Sequence, residues 1–186
     1  MSDAFDFAGC NETELWHHVG VHLEARGVGV VLVGGAVVAV YSEGAYQSGD
    51  LDFVRDELFE DRVEGCMEEL GFRRRGRHYE HPDCPHLVVE FLSPPLGIGD
   101  DVDIVPRSET VGGQTLKILS PTDCVRDRLA SYIYFRAREC LDQAVLVARA
   151  QVVDWDKIER WCRAEGHVGD SAFAKLRSLA GGANRD

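Results

Sequence analysis

Between residues 12 and 26 the apolar positions Leu15, Trp16, Val19 and Leu23 recur every three or four residues, which predicts a helix with one buried face. Asn11 followed by Glu14 supplies a capping box at its start, and Gly27 suits the position just past its end. The stretch "VGVVLV" (28–33) carries no polar side chain, the pattern of a central strand covered on both faces. Beyond Gly34-Gly35 the chain stays apolar from Ala36 to about Ser42, which predicts a helix buried against that strand. "LDFV" (51–54) reads as a second strand. From Asp56 the apolar residues Phe59, Val63, Cys66, Met67 and Leu70 return to helical spacing until Gly71 ends the run.

The segment "RHYEHPDCPHLVVEFLS" has two extended arms around a Pro-Asp-Cys-Pro turn and predicts a hairpin. A Gly/Pro/Asp-rich stretch (93–101), a short strand "VDIV", a turn at Gly112-Gly113 and a strand "QTLKIL" complete the sheet. Ser120-Pro121-Thr122-Asp123 then combines an N-cap, a proline at the first helical position and an acid at the third. Helices over 121–150, 155–165 and 171–180 follow. The predicted class is α+β, with an α/β core over 1–119 and a C-terminal helical subdomain over 120–186.

Composition narrows the function classes. The 186 residues carry 32 acids against 20 bases, a formal charge of -12, which disfavours indiscriminate attraction to nucleic acid or anionic membrane. The longest apolar stretch is broken by glycines and is too short to span a bilayer, and "MSDAFDFAG" lacks a signal-peptide pattern, so a cytoplasmic location is expected. The six cysteines fall without CxxC pairs, as reduced, mostly buried thiols do.

Candidate chemistry gathers in "SGDLDF". On a strand, residues i and i+2 share a face with Cα atoms about 6.6 Å apart, so Asp50 and Asp52 point together while Leu51 and Phe53 turn to the core. Two such carboxylates can converge on Mg²⁺ (or Mn²⁺), which takes oxygen ligands and keeps positions open for phosphate oxygens. In "HLVVEFL" the same alternation sets Glu90 opposite to Val89 and Phe91 and makes it the third acid. Gly34 and Gly35, between a strand and a helix N-terminus, let phosphate oxygens approach backbone N–H groups. Ser48 adds a hydroxyl beside the acids.

This order of strand, glycine pair, helix and "SGDLDF" resembles the nucleotidyltransferase (polymerase-beta-like) superfamily, most of all its small prokaryotic members of abortive-infection and toxin-antitoxin type. The resemblance covers about residues 28–150 and implies a mixed sheet flanked by helices. It implies a metal-dependent transfer of a nucleoside monophosphate from an NTP substrate to an acceptor hydroxyl, with pyrophosphate released. Asp50, Asp52 and Glu90 would hold metal, Glu90 assisting deprotonation of the acceptor. Gly34, Gly35 and Ser48 would cradle the nucleotide. Arg128, in "SPTDCVRDRLASYIYF", holds the place of a basic residue that faces the nucleotide. Glu90 stands where Asp is commoner and Arg128 where Lys is usual. A small molecule or a protein is the favoured acceptor, and RNA as acceptor and a cognate antitoxin as partner stay open. The alternative is an inactive nucleotide- or partner-binding protein with the same fold.

Blander readings attach to the remaining features. The pair Asp50 and Asp52 alone could be a solvated loop running into a strand. Asp101 and Asp103 in "DDVDIV" form a rival pair that lacks the glycine unit and reads as a solvated edge strand. His78, His81, Cys84 and His86 match no standard paired zinc-ligand spacing, so a hairpin with polar tips is expected. "RRRGR" (73–77) reads equally as a phosphate-contacting patch or a solvated stretch, and Trp155 and Trp161 as helix-packing residues.

Overall fold

The computed structural model describes residues 5–56 and 60–181. The first helix, α1 (Glu12–Glu24), begins at the expected capping box: Asn11 accepts from the Glu14 N–H at 3.0 Å and the Glu14 carboxylate accepts from the Asn11 N–H at 2.9 Å. Its face of Leu15, Trp16, Val19 and Leu23 is fully buried. Strand β1 (Val30–Val33) is buried along its whole length and runs directly into α2 (Gly34–Tyr41), of which only Val40 is not buried. Each such valine contributes about 1.5–3 kcal/mol on burial, which explains why so apolar an octapeptide turns inward rather than lying on the surface.

Strand β2 (Asp50–Arg55), helix α3 (Glu60–Glu69), and strands β3 (Arg73–Arg75), β4 (His78–His81) and β5 (Cys84–Leu92) follow. The expected start of the third helix, including Phe59, lies outside the described residues. The hairpin around Pro82-Asp83 forms as expected, and β3 is an additional strand folded back onto β4 through Gly76, whose φ of +64° suits the turn. The sheet closes with β6 (Arg107–Val111) and β7 (Gln114–Ile118) in the order β3-β4-β5-β2-β1-β7-β6. It is mixed: β1 lies antiparallel to β2 and parallel to β7, and β2 lies parallel to β5.

Two expectations are corrected. "VDIV" (102–105) forms no strand; the outer strand is the polar segment Arg107–Val111, whose pairing with β7 is set by the Gly112-Gly113 turn, both residues at positive φ. The continuous helix over 121–150 is instead two, α4 (Pro121–Phe135) and α5 (Arg138–Ala150), separated where Arg136 adopts a left-handed conformation at φ 56°. The start of α4 is as read: the Ser120 hydroxyl accepts from the Asp123 N–H, with Pro121 first.

Helices α6 (Trp155–Ala164) and α7 (His167–Gly181) complete the chain. One hydrophobic core runs from α1 and the sheet through α4 to α7. Tyr41 at the end of α2 links the parts, its hydroxyl donating to Leu119 O at 2.6 Å and its carbonyl accepting from Gln151 Nε2 at 2.9 Å. Trp161 is buried and donates to Ile98 O, while Trp155 packs edge-on against Phe173. Among the described residues no helix is long and apolar enough to cross a membrane.

Candidate functional site

The β2–β5 register decides where the acids meet. Asp52 is the direct partner of Glu90, and Asp50 of Val88, so neighbouring backbones about 4.8 Å apart place Asp52 and Glu90 side by side on one face, with Asp50 one pleat along. Leu51, Phe53 and Val89 fill the core on the other face. β1 brings in the glycines: Val33, the residue before Gly34, is the register partner of Asp52.

The glycine pair is sterically bound to the acids. Gly34 has φ +74°, and a Cβ there would lie 2.6 Å from Asp52 Oδ2; a Cβ on Gly35 would lie 2.8 Å from Ser48 Oγ. Val33 gives α2 no side-chain cap, so the first N–H groups of the helix stay open toward this face. Ser48 Oγ donates to Asp50 Oδ1 at 2.7 Å, and the Ser48 N–H donates to the buried carboxylate of Glu12 on α1.

The electrostatics are those of crowded like charges. Asp52 is pushed up from 3.8 to about 7, first by burial and then by repulsion from Asp50 and Glu90, with Asp127 adding to it and Arg128 opposing. The Asp52 carboxylate forms no hydrogen bond or ion pair among the described residues. The three acids are held apart on their face, Asp50 by Ser48 and Glu90 by Arg77, whose Nε lies 3.2 Å from Glu90 Oε1. His78 Nδ1 lies 3.4 Å from the other Glu90 oxygen.

Arg128 reaches the site from α4 but not freely. Its guanidinium donates to Asp127 at 2.6 and 3.1 Å and to Gln143 Oε1 at 3.3 Å, and Gln143 in turn donates to Tyr46 OH. Burial works against the charge of Arg128, but Asp127 outweighs it and holds the group well above the usual arginine range. Glu12, Tyr46, Asp127 and Gln143 were not candidates from sequence. A buried acid in the first turn of a capped helix, or Asp127 beside Arg128, gives no spacing signal of its own.

Two side readings also change. Asp101 is not on a solvated edge strand: it pairs with Arg126, a guanidinium only 2% exposed, which also binds Asp123 at 2.7 Å. Burial would raise Asp123, yet Lys157, Arg126 and Ser120 together hold it below the usual carboxylate range. This network ties the loop before β6 to α4 and α6. The arginine run is divided: Arg73 and Arg75 continue the rows Asp50–Val88–Glu80 and Asp52–Glu90–His78 across the sheet, whereas Arg74 falls on the opposite face and contacts Glu64 of α3 at 3.4 Å.

The sheet order, the glycine turn and the acid-bearing strand define a nucleotidyltransferase-like α+β fold. Solved structures agree: an antigenic nucleotidyltransferase-like protein from Paracoccidioides brasiliensis superposes with a TM-score of 0.63 at 13% identity, over 92% of this chain and 89% of that one. ANT(2")-Ia in complex with adenylyl-2"-tobramycin superposes with a TM-score of 0.51 at 14% identity, over 88% and 95%. The solution structure of the antibiotic-resistance factor ANT(2'')-Ia gives 0.51 at 14% identity, over 88% and 90%. No protein-family model and no curated sequence matches the chain. At these identities the likeness establishes the fold.

Proposed function

We propose that this protein transfers a nucleoside monophosphate from an NTP to an acceptor hydroxyl and releases pyrophosphate. The observation that carries the reading is the register pair Asp52–Glu90 with Asp50 beside it, facing an uncapped helix N-terminus through a glycine turn. The chemistry of the donor set, all oxygens and like-charged, is the kind a hard divalent cation takes, and because the three carboxylates do not all lie within 4.8 Å of one another, they would draw together on the ion. When bound to Asp50, Asp52 and Glu90, Mg²⁺ or Mn²⁺ would neutralise phosphate charge and acidify the acceptor hydroxyl.

The chain's own groups divide the remaining work. The open N–H groups at Gly34 and Gly35 receive phosphate oxygens. Ser48 orients Asp50 by its 2.7 Å bond. Arg128 places positive charge beside the acids, oriented by Asp127 and Gln143.

The acceptor belongs on the row toward β3. A depression of about 460 Å³ lined by Arg73, Arg75, Glu80 and Val88 continues the acid face in that direction. It suits a small molecule or a protein side chain rather than a long polyanion, because only two of the arginines in "RRRGR" lie on this face without a carboxylate partner in the acid row. A toxin-type modification is the same chemistry on a macromolecular hydroxyl.

Incubation with each α-labelled NTP and Mg²⁺ or Mn²⁺, alone and with cell extract, should release pyrophosphate and label a product. Asp50→Asn and Asp52→Asn should each abolish the labelling with the fold retained. Labelling that persists in both variants refutes the assignment. Saturable nucleotide binding without turnover would favour the inactive reading, which the engagement of Glu90 by Arg77 and His78 supports.

A further inference from the structure

The hairpin residues Cys84 and His86 do not end as isolated polar tips; they meet Cys10, from the segment just ahead of α1. Cys10 Sγ lies 3.8 Å from Cys84 Sγ, Cys84 Sγ lies 3.9 Å from His86 Nδ1, and all three atoms fall within 4.8 Å of one another. We propose that Cys10, Cys84 and His86 form a zinc site, distinct from the three acids, that clamps the N-terminal segment onto the β4–β5 hairpin.

The geometry matches a tetrahedral ion closely. With Zn–S of about 2.3 Å and Zn–N of about 2.0–2.1 Å, tetrahedral angles require S···S of about 3.8 Å and S···N of about 3.6 Å. The Cys10–Cys84 and Cys84–His86 spacings are within a few tenths of an ångström of those values, and the ligand atoms of Cys10 and His86 lie within 4.8 Å of each other. Histidine chemistry adds a second argument. His86 Nε2 lies 2.8 Å from the Cys10 carbonyl, and a carbonyl only accepts, so Nε2 carries the hydrogen. In the neutral ring Nδ1 is then the bare lone pair, and it is the nitrogen turned to the sulfurs. A backbone carbonyl that fixes the tautomer from behind is the usual support of a zinc-ligating histidine.

Binding would replace two thiol protons, releasing two H⁺ per Zn²⁺, and would displace the Cys10 Sγ contact to Phe7 O at 3.4 Å. Three protein ligands leave the fourth position to water. Thiolate and imidazole select a softer ion than the carboxylates do, so the two sites sort their metals. His86 and Glu90 share a face of β5 about 13 Å apart along the strand. The clamp acts near the acids through α1: Cys10 precedes the Asn11 cap, and Glu12 receives the N–H of Ser48.

The full chain, reduced and stripped of metal under anaerobic conditions, should take up one Zn²⁺ with release of two protons and a rise in melting temperature. Co²⁺ in its place should give the thiolate charge-transfer and tetrahedral d–d bands. His86→Gln, at an exposed position, should weaken binding at least ~10-fold with the fold retained, and Cys10→Ser should abolish the thiolate band. Asp52→Asn should leave Zn²⁺ uptake unchanged. No uptake by wild-type protein with titratable thiols, uptake that survives in the Cys10→Ser, Cys84→Ser double variant, or a Cys10–Cys84 disulfide that forms in place of metal loading would each overturn the proposal.

Discussion

Asp52→Asn in the metal-free protein isolates the cost of gathering acids on one face. In the folded chain Asp52 titrates at about 7 against an ordinary 3.8. Below pH 3.8 the carboxyl is neutral in both states and costs nothing. Between 3.8 and 7 the unfolded chain gives up its proton while the folded one keeps it, so the folded state binds more protons and stability falls as pH rises. Above 7 the loss is complete. At about 1.36 kcal/mol per pH unit the upper bound is ~4 kcal/mol, and the partial exposure of Asp52 makes about 2–4 kcal/mol the working range. The neutral, isosteric amide removes that loss. With EDTA present, Asp52→Asn should therefore match wild type near pH 3.5 and exceed it by roughly 5–12 °C in melting temperature at pH 8, for a chain of this size. Saturating Mg²⁺ should close the gap at pH 8 by stabilising wild type only. Thermal melts from pH 3.5 to 9 measure it, and a wild-type-minus-variant difference that is flat with pH would refute the reasoning.

Gly34→Ala should destabilise by about 2–3 kcal/mol in urea titration, because φ +74° and the 2.6 Å approach to Asp52 Oδ2 penalise any Cβ; a loss under about 0.5 kcal/mol would mean that Asp52 steps aside freely. Arg126→Met should cost about 3–5 kcal/mol by leaving the buried Asp123 with Lys157 as its remaining cation, whereas Arg163→Met, at an exposed pair with Glu159, should stay within about 1 kcal/mol. Single-stranded RNA binding should show a slope of log K against log salt no steeper than about -1.4, the value for two phosphate contacts; a slope near -3 would mean that all four arginines act together.

The strands and helices that carry the site were legible because their patterns are local. A glycine pair after an apolar run, two acids at i and i+2, and Glu90 in an apolar strand each declare a face within a few residues. What escaped depends on contacts that cross the chain. Cys10 and Cys84 are 74 positions apart, and no ligand motif spans that gap. Arg126 reads like any helical arginine until Asp101 and Asp123 are placed around it. "VDIV" has the alternation of a strand, but Arg107–Val111 takes the position beside β7, fixed by the glycine turn rather than by hydrophobicity.

The glycines show how a correct residue can carry an incomplete reason. From sequence, their bare backbone serves the approach of phosphate. In the fold, the space where their side chains would stand is already filled by Asp52 Oδ2 and Ser48 Oγ. The turn and the "SGDLDF" segment therefore form one steric unit: β1 pairs with β2 so that Val33 faces Asp52, and only glycine at the next two positions lets the carboxylate and the hydroxyl close over the start of α2. A side chain at 34 or 35 would act on the acids before any nucleotide arrived. It follows that alanine at either position should disturb stability without ligand as well as nucleotide affinity, whereas a glycine needed only for phosphate would affect affinity alone.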